Sequence, residues 1–231
     1  MIEAITAGIW HVNTSVTIMP GVNFPLRMVI VQLKDDGLLL HSPIAIDDAL
    51  AAELAELGAV RYLIAPNAFH HKYLASAAER FPDATVLAAD GVQVKVPRAR
   101  ITASLSEEST APFASTLSAH AFHGIPKANE WAFCHLASRT LIVTDLVFNI
   151  QRPAGLLTSV VLSMSGTHKR FATSKLLRKF VTNKTAAAQS AAELLRLDFD
   201  RVVPSHGDFV DTNAKASLRS AFADGFGTHD E

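Results

Sequence analysis

Apolar and polar positions change period several times along this chain, and each change marks an element. Residues 5 to 18 read as short strands with a turn at Pro20-Gly21, and Arg27 to Leu33 is a strong strand. Asp35-Asp36-Gly37 predicts a hairpin returning through Leu38 to Ser42, so the first quarter is antiparallel β. Asp47 to Leu57 then has helical character, with Asp47 suited to the N-cap and Gly58 to the stop. Strand Val60 to Ala65, an Ala-rich helix from Lys72 to Arg80 and strand Thr85 to Ala89 complete a parallel-sheet signature. Antiparallel strands return at Leu117 to Phe122, Glu130 to His135 and Thr140 to Thr144, with a tight turn at Ser138-Arg139. Residues 150 to 185 are helical and irregular, and read as a lid insertion. A helix at Ser190 to Leu197, a strand at Phe199 to Pro204, and a helical end with a polar tail containing His229 follow. Two mixed halves of similar kind predict an α+β or α/β four-layer sandwich, αβ/βα, as one domain over residues 1–231.

Three of these strands end on chemistry. Val60 to Ala65 leads to His70-His71, Thr140 to Thr144 leads to Asp145, and Arg201 to Pro204 leads to Ser205-His206-Gly207-Asp208. Open α/β sheets bind ligands beyond the carboxyl ends of their strands, so three metal-capable strand ends point to one shared site. Gly207 permits a tight turn that presents His206.

Bulk properties narrow the partners. Hydrophobic residues make up 49% and charged residues 19%, enough for a sizeable core. The formal net charge of −1 offers no basic excess for a nucleic-acid backbone or an anionic membrane surface. Cys134 is the sole cysteine, which excludes an internal disulfide, and its apolar surroundings read as core. No signal-peptide pattern and no ~20-residue apolar run is present, so the expectation is a cytoplasmic protein acting on a small molecule, with no nucleic-acid and no membrane partner. A basic cluster from Lys169 to Lys184 reads as a solvated helix face, or as a lid that attracts an anionic substrate.

The order of elements, and the segments Arg61 to His71, Ser138 to Asn149 and Asp198 to Asp208, resemble the metallo-β-lactamase superfamily, and more closely a branch of unknown function within it. Gly8-Ile9-Trp10 and His41-Ser42-Pro43 fit that branch as well. Against the superfamily's first motif, His-x-His-x-Asp-His, the chain reads Pro66-Asn67-Ala68-Phe69-His70-His71. Two first-metal histidines are thus replaced by Pro66 and Ala68, the aspartate by His70, and the last histidine is kept as His71. His123, Asp145 and His206 match the later ligand positions.

The resemblance implies one divalent ion, zinc ahead of iron or manganese, held by His70, His71, Asp145 and His206, with His123 as a weak ligand. It implies a hydrolase of a small ester, amide, thioester or phosphoester, with Asp145 or His123 moving the proton and Asp208 orienting a ligand histidine. The losses at Pro66 and Ala68 leave two alternatives open: a metal-poor binding protein or pseudoenzyme on the same fold, and a mononuclear iron redox protein.

Overall fold

The computed structural model describes residues 1–227; the polar tail with His229 lies outside them. The first sheet has seven strands in sequence order: β1 (Glu3–Thr6), β2 (Ile9–Met19), β3 (Val22–Gln32), β4 (Leu38–His41), β5 (Val60–Ala65), β6 (Thr85–Ala88) and β7 (Ala103–Ser104). β1 to β4 pair antiparallel and β4 to β7 parallel. The change occurs where hairpins give way to crossovers through α1 (Asp48–Leu57) and α2 (Leu74–Arg80), because parallel strands need a long connection. The short helices α3 (Val92–Lys95) and α4 (Glu107–Thr110) flank β7 in sequence.

The second sheet runs in the order β11 (Arg201–Pro204), β10 (Thr140–Val143), β9 (Trp131–His135), β8 (Leu117–Ala121). α5 (Leu156–Ser165), α6 (Lys175–Lys179) and α7 (Lys184–Arg196) connect β10 to β11, and α8 (Ala214–Phe226) follows. Period-2 alternation divides this sheet's side chains between two cores. Phe133, Ile142 and Val203 pack with the first sheet, while Ala132, Cys134, Leu141 and Val202 pack with Ala191, Leu218 and Phe222 of the outer helices. α1 and α2 cover the far face of the first sheet through Leu54, Leu74 and Ala77, which completes the four expected layers.

The predicted caps of α1 form: Asp47 Oδ1 accepts from Leu50 N at 2.8 Å, and Gly58 ends the helix. Of the short strands expected before Pro20, the first ends β1 and the rest are one long strand, β2, whose outer half pairs with β3 beyond the edge of the core. The helix expected from Lys72 starts at Leu74. Asn67 causes the delay: its Oδ1 accepts from Phe69 N and His70 N, which closes a turn before the helix can begin. Burial pushes the Cys134 thiol up to about 11, as expected of a core cysteine.

His41, at the end of β4, is fully buried against the Phe133 ring (5.3 Å), and neither ring nitrogen has a hydrogen-bond partner. Burial, helped by the charge of His70, lowers its pKa from 6.5 to about 3. A depressed folded pKa gives stability that is complete above the unfolded value and is lost as pH falls from 6.5 toward 3. We expect His41→Leu to flatten this acid limb, which is worth up to roughly 5 kcal/mol. Urea midpoints at pH 7, 5 and 4 test it; equal losses in wild type and variant would show that His41 does not set the acid sensitivity.

Candidate metal centre

The pairing of β10 with β11 builds half of the site. The strands are parallel with Val143 opposite Pro204, so residues two beyond each, Asp145 and His206, emerge side by side. Gly207 holds this turn at φ +103, and a Cβ there would run into the backbone of Asn149. Asn149 N donates to His206 O and Asp208 N to Asn149 O, both at 2.9 Å, so the glycine is required by a close backbone approach. From the first sheet, the Asn67 turn beyond β5 brings His70 to the same point.

His70, Asp145 and His206 each place one ligand-capable atom within 4.8 Å of the others. The Nε2 atoms of His70 and His206 are 3.1 Å apart. Asp145 Oδ2 stands 3.4 Å from His70 Nε2, and Oδ1 stands 3.3 Å from His206 Nε2. Ligands at about 2.0 Å from a tetrahedral ion stand about 3.3 Å from each other, so the triangle has the size of one face of such a site. The outer nitrogens are already engaged. His206 Nδ1 lies 2.7 Å from Pro25 O, and because a carbonyl only accepts, Nδ1 carries a hydrogen, which leaves Nε2 as the atom turned to the triangle. His70 Nδ1 lies 2.7 Å from Ser42 Oγ. Two imidazoles and a carboxylate, aimed inward with their outer nitrogens tied off, form a cluster that could hold one metal ion.

The carboxylate is equally fixed. Burial alone would raise the Asp145 pKa, but the charge and hydrogen bonds of His70 and His206 hold it well below the ordinary carboxylate range. Asn67 Nδ2 contacts Asp145 Oδ2 at 2.7 Å, Thr144 Oγ1 at 2.9 Å and Glu130 Oε2 at 3.1 Å. Glu130, itself buried, accepts from Thr144 N (2.7 Å) and Leu146 N on Oε1, and from Asp145 N (2.8 Å) on Oε2. Asn67 therefore joins the His70 turn to the Asp145 turn, and Glu130 anchors the latter.

The other expected residues stand elsewhere. His71 turns its Nδ1 to Ala68 O (2.9 Å) and lines the cavity beside the triangle without joining it. Burial, partly offset by the Ala68 bond, lowers its pKa, and the charges of Lys95 and His70 add to that. This is the consequence of adjacency: once the turn aims His70 inward, its neighbour faces a different way. His123 is exposed in the loop after β8, where its backbone N donates to Ser190 Oγ, and it does not line the cavity. Asp208 is exposed and hydrogen-bonds Asn149 through its backbone; Pro25 O and Ser42 Oγ, rather than Asp208, contact the outer nitrogens of His206 and His70.

Sequence reasoning missed Ser42, Pro25 and Glu130. Ser42 gave one signal, its place in His41-Ser42-Pro43, and the structure adds a left-handed φ of 56, a strained value for a serine. Glu130 gave none, because an isolated glutamate beside a strand reads as solvent-facing until its amide partners are known.

Comparison with solved structures places the chain in the metallo-β-lactamase fold. The metallo-β-lactamase from Pontibacter korlensis is 15% identical with a TM-score of 0.62, covering 96% of this chain and 97% of its own. That from Erythrobacter litoralis is 13% identical with a TM-score of 0.64, at 96% coverage of both chains. FIM-1 from Pseudomonas aeruginosa, in its mono-zinc form, is 18% identical with a TM-score of 0.60, covering 96% of this chain and 93% of its own. Identities this low establish the fold alone. No curated protein sequence matches. The family model described as "Domain of unknown function (DUF4336)" matches residues 7–161, about two thirds of the chain, and the chain belongs to that family.

Proposed function

We propose that this protein is a metal-dependent hydrolase acting on a small ester, amide, thioester or phosphoester, with a single divalent ion, zinc first, held by His70, Asp145 and His206. The observation that carries the reading is the inward triangle of two Nε2 atoms and a carboxylate whose outer nitrogens are already bonded. Three protein ligands leave a coordination position open, which is the arrangement of catalytic rather than structural zinc sites. The ion, when bound, supplies a water acidic enough to ionise near neutral pH and polarises a carbonyl or phosphoryl oxygen.

The chain's own residues do the rest. Ser42 and Pro25 hold the two imidazoles in one orientation, so little reorganisation is needed on binding. Asp145 and His71 both line the cavity and are the groups placed to take up or return a proton; His71 keeps Nε2 for that purpose because Nδ1 is on Ala68 O. Walls of Phe24, Phe148, Phe69 and Phe180 keep water from the bound substrate. The mono-zinc form of FIM-1 supports the reading, as a protein of this fold with one zinc.

Elemental analysis of protein purified without added metal or metal-affinity resin tests this. About one equivalent of zinc per chain is expected. Iron at that level, with a metal-centred absorption band, would replace the hydrolase with a redox reading. No metal, and no uptake on titration at neutral pH, would leave a binding protein on the same fold.

A further inference from the structure

The cavity over the triangle has a volume of about 810 Å³, in the range of small-molecule sites, and its two sides differ in chemistry. The β2–β3 hairpin contributes Val16, Ile18, Phe24 and Leu26, all apolar. His206 belongs to this side, stacked on Phe148 (4.9 Å, 4°) with Phe24 6.2 Å away. The opposite side is aromatic and cationic. Phe69 and Phe180 stand 6.0 Å apart, with Lys95 Nζ 4.7 Å over the first ring and Lys127 Nζ 4.2 Å over the second.

These two ammonium groups are available to a ligand. Lys95 spends one donor on Ala68 O (2.7 Å), and an ammonium has three. Among the described residues, neither lysine is in an ion pair with a carboxylate. Asp145 is the one acidic residue lining the cavity, and it faces the two histidines. The wall carrying Ser174, Leu176 and Phe180 belongs to a run, residues 146–192, with seven lysines and arginines and no aspartate or glutamate. The cations that line the cavity itself are Lys72, Lys95 and Lys127.

We propose that the ligand is an amphipathic anion, with a carboxylate or phosphate head between Lys95 and Lys127 and an extended apolar part along the β2–β3 hairpin. Resting on the hydrolase reading, a substrate of this class lays the bond between its two parts across His70, Asp145 and His206. It is then an apolar acyl group joined through oxygen, nitrogen or sulfur to an anionic fragment. Hydrolysis breaks the bond from the acyl carbon to that heteroatom; water gives its hydroxyl to the carbon and its proton to the leaving fragment.

The test is binding of dansyl-aminoundecanoate, followed by fluorescence with and without zinc, and its displacement by decanoate, decyl phosphate and neutral decanol. Both anions should displace the probe at least about tenfold better than decanol. The tighter of the two identifies the head group. Lys95→Gln/Lys127→Gln, both at exposed positions, should abolish that preference and leave decanol unchanged, whereas Ile18→Asp, at a half-exposed position, should weaken all three. Decanol competing as well as the anions, or a lysine variant that keeps the preference, overturns the proposal. Zinc uptake failing while the lysine dependence holds would remove the hydrolase and leave the ligand class standing; the reverse would do the opposite.

Discussion

Replacing His206 with alanine should weaken zinc binding by at least about 100-fold. Loss of a mere hydrogen-bond partner of a metal ligand costs about 10- to 100-fold, and His206 supplies one of three donor atoms, so its removal sets a larger effect. Calorimetric titration gives the affinity directly. Zinc should also raise the melting temperature of the wild type, by an amount that follows ligand concentration over dissociation constant, and should leave the variant almost unmoved. The side chain is 6% exposed and stacked on Phe148, so the variant should also lose about 1–3 kcal/mol without metal. Zinc binding therefore has to be compared at a temperature where both proteins are folded. An alanine variant that takes up zinc as tightly as the wild type would remove His206 from the ligand set.

The sequence revealed the scaffold more fully than the chemistry. The alternation of period-2 and helical stretches fixed both sheets and the strand ends, because burial on one face writes itself directly into apolar spacing. Asp145 and His206 were legible for the same reason: each follows an apolar strand, and a parallel pair places its ends together. The choice between His70 and His71 was not legible. It depends on a turn closed by Asn67 Oδ1, and nothing in the spacing says whether the following residues are helix or turn. His123 failed to reach the cavity because its loop is tied to Ser190 of α7, a contact 67 residues away. The expectation against nucleic acid and an anionic membrane surface came from the net charge of the whole chain, whereas the basic cluster from Lys169 to Lys184 was legible locally, as a solvated face or as a lid that attracts an anionic substrate.

Glu130 is the residue whose loss should cost the fold most. It is 2% exposed, and its carboxylate accepts from the amides of Thr144, Asp145 and Leu146 and from Asn67. Glu130→Ala strands those buried donors at about 1–3 kcal/mol each for the well-made bonds, so a loss of about 3–5 kcal/mol is expected. Glu130→Gln keeps one accepting oxygen and sets an NH2 group against the other amides, which places it between alanine and wild type. Burial first, then the charge of Asp145, raises the Glu130 pKa against the opposing pull of its amide partners. A raised folded carboxylate makes the fold lose stability as pH climbs from the ordinary glutamate range to the raised value. The glutamine variant should lack that decline, so the gap between it and wild type should narrow with rising pH. Urea unfolding at pH 5 and 8 measures both effects. A further consequence reaches the site: with the Asp145 turn unanchored, zinc affinity should fall about 10- to 100-fold even though no ligand has changed. An alanine variant within about 1 kcal/mol of wild type would mean that other groups hold the turn.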